Sequence, residues 1–105
     1  MSGIENRRYS RFDINPGMPV AWRMADKAVA ARATGVSLGG LFIQTAEPPA
    51  SGTFLQILVK APAGDVRARA AVRRVEIGRG MGVEFIAMSM DDRARLNSYL
   101  KSLGA

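Results

Sequence analysis

Two stretches of this 105-residue chain carry groups suited to holding an anion. The first is Gly35-Val36-Ser37-Leu38-Gly39-Gly40-Leu41-Phe42-Ile43. Its glycines allow positive φ and let a ligand or another strand approach the main chain closely. Ser37 adds a hydroxyl. The neighbouring N–H groups are expected to point into the same space, as successive amides do in anion-binding nests. The second stretch is Arg7-Arg8-Tyr9-Ser10-Arg11, a cluster of planar five-donor guanidinium forks suited to phosphate. Taken alone, a Gly-Gly between apolar runs is a hairpin turn or bulge, and a terminal Arg cluster is a solvated arm. Taken together they predict a site where Arg7, Arg8 and Arg11 face Ser37, Gly39 and Gly40 around a phosphate-bearing ligand.

Other chemistry has little support. The chain has no histidine and no cysteine, so the commonest general base and every thiolate ligand are missing. Ser10 and Ser37 have no evident base. Of the nine carboxylates only Asp91 and Asp92 are adjacent, and they fall in the first turn of an expected helix, where acids suit the dipole. No Walker-type GxxxxGK[ST] or GxGxxG pattern occurs. The chain is therefore expected to be no enzyme, with no catalytic residues, no metal site and no cofactor. Its net charge is +6, and arginine supplies twelve of the fifteen cations, which favours an anionic partner. Nucleic acid is the weaker candidate. Trp22, Phe42, Phe54, Phe85 and Tyr99 fall at positions expected to be largely core, leaving Arg67, Arg69 and Arg73 as an outward stripe with no interleaved aromatic. The polar, basic start lacks a secretory h-region, and no apolar run approaches the ~20 residues of a membrane span. A cytoplasmic location without membrane insertion is the expectation.

The elements that must position these groups are short strands. Residues 1–6 look like a flexible N-terminal arm, and residues 7–105 like one domain. Pro16 and Pro19 argue against a helix, and a half-buried strand starts at Val20. Ala25-Asp26-Lys27 turns into a strand over Ala28–Val36, and Leu41-Phe42-Ile43 leaves the glycine corner as another. Phe54–Lys60 places Leu55, Ile57 and Val59 on one face, and Ala61–Asp65 connects it to a strand over Val66–Val75. There Val66, Ala68, Ala70 and Val72 face in, until Arg73-Arg74 breaks the period of two and predicts a bulge. Met81, Val83 and Phe85 alternate on a last strand. Ser89 and Asp92 then resemble a capping box ahead of Leu96, Tyr99, Leu100 and Leu103, a helical stripe stopped by Gly104. Strands of this number with one terminal helix predict a small β-barrel or sandwich.

In order and spacing these parts resemble the PilZ domain family. Arg7 and Arg11 match its Arg-x-x-x-Arg motif, with Arg8 as an extra arginine. Ser37-Leu38-Gly39-Gly40 matches the later part of its Asp/Asn-x-Ser-x-x-Gly motif, and Gly80–Phe85 with the following helix looks like the family's ending. The resemblance implies a six-stranded antiparallel split barrel with a C-terminal α-helix. It implies a receptor for cyclic di-GMP that acts through a protein partner, with the motif arginines on phosphates and guanine edges and the Ser-Gly corner against the ligand. Gly35 stands where the family has Asp or Asn, so the acceptor for the guanine N–H edge is missing from that position. A hydrogen bond to a charged group is worth about 1.5–3 kcal/mol, so the loss would weaken binding roughly 10- to 150-fold. That gap leaves a second expectation open: a divergent member that binds no nucleotide appreciably and serves as a protein-interaction adaptor.

Overall fold

The structure, a computed structural model, describes residues 9–104. Six strands close an antiparallel barrel in the order β1-β2-β3-β6-β5-β4. They are β1 (Phe12–Met24), β2 (Lys27–Val36), β3 (Gly40–Gln44), β4 (Phe54–Ala61), β5 (Gly64–Glu76) and β6 (Gly80–Ala87), followed by helix α1 (Met90–Ser102). Alternation explains the interior: Val20, Trp22, Ile43, Leu55, Ile57, Val59, Val66, Val72 and Met81 all point inward and are buried. Leu96 and Leu100 of α1 are buried in the same core, with the helix packed against β5 and β4. Among the described residues no helix is long and apolar enough to cross a membrane.

Strand β1 differs from expectation. It begins at Phe12 rather than Val20 and contains both prolines. Two features make this possible. β1 pairs with β4 only over Val20–Arg23, so Pro16 and Pro19 are spared one of the two ladders. On the other side the register to β2 slips between Asp13↔Gly35 and Met18↔Ala33, so residues 14–17 oppose Thr34 alone. Gly17, at φ 120°, takes the bend of this bulge. The bulge predicted at Arg73-Arg74 is present: Val72 pairs with Val83 and Arg74 with Gly82, leaving Arg73 as the extra residue.

Phe54 also departs from expectation. It is 55% exposed, and the Arg69 guanidinium lies over its ring at 5.0 Å. Leu55, Ile57 and Val59 occupy the inward positions of β4, so parity sends Phe54 out with Gln56. The arginine stripe of β5 therefore does have an aromatic neighbour.

Helix α1 is capped as its sequence suggests. Asp92 N–H donates to Ser89 Oγ at 3.0 Å, and Ser89 Oγ donates to Asp92 Oδ2 at 2.7 Å. Asp92 Oδ1 accepts from the Arg67 N–H of β5 at 3.2 Å and from Arg95 at 3.0 Å, which stitches the helix start to the barrel. The Ser89 hydrogen bond, helped by Arg67 N–H and the Arg95 charge, holds the Asp92 carboxyl below its ordinary 3.8 against the opposing cost of burial. A carboxyl depressed by folding stabilises the native state above its unfolded pKa, and that contribution is lost as pH falls through the native value. Thermal melts from pH 6 to 2 are therefore expected to show a loss of stability beginning near pH 4. Asp92→Asn should flatten that acid limb.

Candidate functional site

The Arg segment and the glycine corner meet. Arg11, just ahead of β1, lays its guanidinium over Gly35: Nη2 sits 3.2 Å from where a side chain's Cβ would begin. Tyr9 does the same at Gly39, its ring Cδ2 2.9 Å from the equivalent point. Any side chain at position 39 would push the Tyr9 ring away. Arg93 of α1 lies over the other part of this contact, 5.9 Å from the Tyr9 ring centroid. Arg7 and Arg8 lie outside the described residues.

The corner itself is built differently from the expected nest. Ser37 is buried, and its Oγ accepts from the Gly39 N–H at 3.0 Å and the Gly40 N–H at 3.2 Å. Ser37 N–H donates to Gly40 O at 3.0 Å, which closes the turn. The two glycine amides expected to cradle an anion are thus used inside the corner, because the serine hydroxyl two and three residues back is the nearer acceptor. Ser37 fixes the shape of the corner, and its O–H is the group left to donate. Gly40 is demanded by space. A Cβ there would sit 2.0 Å from Val83 O, so β3 and β6 pair this closely only over glycine. Gly80 clasps the other end of the same ladder, 2.1 Å from Ile43 O by the same measure.

Around this corner runs a cleft of about 490 Å³, lined by Tyr9, Arg11, Ser37, Gly39, Gly40, Arg73, Arg74, Glu84 and Arg93 among others. A second cleft of about 630 Å³ adjoins it over the outer face of β1, β2 and β3. The two share Arg11, Gly35, Phe42 and Arg74. Four arginines from three parts of the chain thus converge on one surface. Arg73 Nε pairs with Glu84 Oε1 at 2.7 Å, and Arg74 Nε with Glu76 Oε2 at 3.1 Å. Among the described residues no carboxylate pairs with Arg11 or Arg93. A concave, arginine-lined surface of this size suits a ligand with more than one phosphate, and guanidinium planes also offer stacking surfaces for bases.

Tyr9, Arg73, Arg74, Glu84 and Arg93 were not in the sequence-derived site. The Arg73-Arg74 break in alternation was the available signal, since a bulge re-aims side chains and here sends two arginines toward the cleft.

A model of the PilZ domain matches residues 5–102. The chain belongs to the PilZ domain family. No curated protein matches it by sequence. Among solved structures the chain is similar to the inhibitor of motility MotI/DgrA of Bacillus subtilis, at 21% identity, TM-score 0.76, and coverage of 91% of this chain and 50% of that one. It is similar to YcgR of Escherichia coli in complex with c-di-GMP, at 24% identity, TM-score 0.76, and coverage of 92% and 45%. The isolated PilZ domain of YcgR with c-di-GMP matches at 21% identity and TM-score 0.74, covering 92% of this chain and 90% of that one. The chain spans about half the length of the first two proteins. At these identities the likeness establishes the PilZ fold: the six-stranded barrel and C-terminal helix that the resemblance implied.

Proposed function

We propose that this PilZ domain is a receptor for cyclic di-GMP. The ligand is held between the Arg7–Arg11 segment and the Ser37–Gly40 corner, and the signal passes to a protein partner as a changed surface. One observation carries the reading: Arg11 and Tyr9 are already seated on Gly35 and Gly39, inside a cleft that also receives Arg73, Arg74 and Arg93. A ligand with two phosphates and two purines has uses for each of these groups. Its phosphates take the guanidinium forks, and its guanine O6/N7 edges accept a bidentate arginine. The YcgR structures solved with c-di-GMP show that the PilZ fold accommodates the molecule. Binding and catalysis are separate matters, and the reading is of a receptor rather than an enzyme.

A second reading draws on Gly35, which offers no side-chain acceptor to a guanine edge: the domain would be a protein-interaction adaptor that binds no nucleotide appreciably. Calorimetric titration with cyclic di-GMP, with GTP as control, separates the two. Micromolar binding seen only with cyclic di-GMP supports the receptor. No heat at high ligand concentration, from protein shown to be folded, supports the adaptor.

A further inference from the structure

The register of the barrel places one row of residues across five strands. Asp13 of β1 pairs with Gly35 of β2, Gly35 with Phe42 of β3, Phe42 with Gly82 of β6, and Gly82 with Arg74 of β5. Asp13 is exposed, and it lines the same cleft as Gly35, Phe42 and Arg74. The row is a shallow bed with an acid at one end, an arginine at the other, and a bare glycine on each side of one aromatic ring.

Gly35 is not required by its backbone, which is not among the positive-φ glycines. Space is not forbidding either, since an added Cβ would meet the movable end of Arg11 at 3.2 Å and Phe42 Cβ at 3.4 Å. Position 35 brings no side chain of its own, and the Arg11 guanidinium lies in the space above it, so the nearest acceptor must come from a neighbouring strand. Directly opposed residues hold their Cβ atoms about 5 Å apart, within reach of a carboxylate. The other acids of the two clefts are engaged: Glu84 with Arg73 at 2.7 Å, and Glu76 with both Arg74 and Arg79 at 3.1 Å. Among the described residues no cation pairs with Asp13.

We propose that Asp13 is the specificity-determining acceptor of this site: its carboxylate, paired beside Gly35 and next to the Arg11 guanidinium, receives the N1–H and N2–H donors of a guanine base. This rests on the receptor reading above. Guanine presents two adjacent donors on that edge, and an ionised carboxylate is acceptor-only with two oxygens to meet them. Arg11, laid over Gly35, gives the base a cationic plane to stack on. The proposal reverses a simple electrostatic expectation. Were Asp13 only a negative charge beside an anion site, its removal would tighten binding.

The test compares the unaltered chain, Asp13→Ala, and Asp13→Ala with Gly35→Asp, each titrated with cyclic di-GMP and with cyclic di-AMP. The second nucleotide keeps the phosphates but lacks the guanine N1–H and N2–H donors. Asp13→Ala is expected to weaken cyclic di-GMP binding about 10- to 100-fold. It should leave the cyclic di-AMP affinity unchanged or tighter, and the added Gly35→Asp should recover most of the loss. An unaltered melting temperature shows that the variant is folded. Unchanged or tighter cyclic di-GMP binding by Asp13→Ala overturns the role of Asp13 and leaves the receptor reading standing. An unaltered chain that binds neither nucleotide overturns the receptor reading and this inference with it.

Discussion

Replacing Arg7 and Arg11 together by alanine is expected to abolish cyclic di-GMP binding while leaving the barrel folded. Each charge-assisted hydrogen bond to phosphate contributes about 1.5–3 kcal/mol, so losing two raises Kd by at least about 100-fold. Arg11→Ala alone should cost about 10-fold or more. The protein should tolerate the change, because Arg11 is exposed and its guanidinium rests on Gly35 rather than in the core. Arg11→Lys is expected to recover only part of the affinity, since an ammonium offers no planar fork and no stacking plane. Binding by the unaltered chain should also weaken as salt rises, because the cleft arginines are open to solvent. Calorimetry on the folded variants reads these outcomes. Retained affinity in the double variant would remove the Arg segment from the site.

The second large effect is on stability. Gly40→Ala is expected to destabilise the domain by about 3 kcal/mol or more, at the upper end of overpacking substitutions. The new Cβ would lie 2.0 Å from Val83 O and 3.1 Å from its carbonyl carbon, so β3 would have to leave β6. Those atoms are backbone within a ladder and cannot swing aside. For a domain of about 100 residues that loss lowers the melting temperature by roughly 10–20 °C. Gly35→Ala is the matched control. Its Cβ would meet mostly the far end of Arg11, and the melting temperature should barely move. The comparison divides the glycine motif by physical role. Gly40 is there so that two strands can touch, and Gly39 so that Tyr9 can lie on the corner. Equal melting temperatures for the two alanine variants would show that the β3–β6 approach is looser than this.

Much of this was legible in the residues. Leu55, Ile57 and Val59, and Val66 through Val72, announce their inward faces by alternation, and Ser89 with Leu96 and Leu100 announces the helix. The Arg73-Arg74 break announced a bulge, because a register slip changes the parity of every later side chain. Phe54 shows how one signal can be overridden by another. Its apolar character suggested core, yet its parity with Gln56 already placed it outside. The first half of β1 was hidden by Pro16 and Pro19, whose tolerance depends on a bulge and on a missing neighbour strand, both tertiary facts. The Gly39 and Gly40 amides form no open nest, because their nearest acceptor is the Ser37 hydroxyl beside them. Asp13, Arg74 and Arg93 lie far apart in sequence, and only the closed barrel and the docked helix bring them, with Glu84, to two adjoining clefts.

The most direct measurement is amide chemical-shift mapping of the isotopically labelled domain during titration with cyclic di-GMP. The account predicts the largest shifts at Gly35, Ser37, Gly39, Gly40, Arg74 and Gly82, with Asp13 moving alongside them. Absence of any shift at saturating ligand, or shifts confined to the Phe54–Arg69 face of β4 and β5, would contradict it.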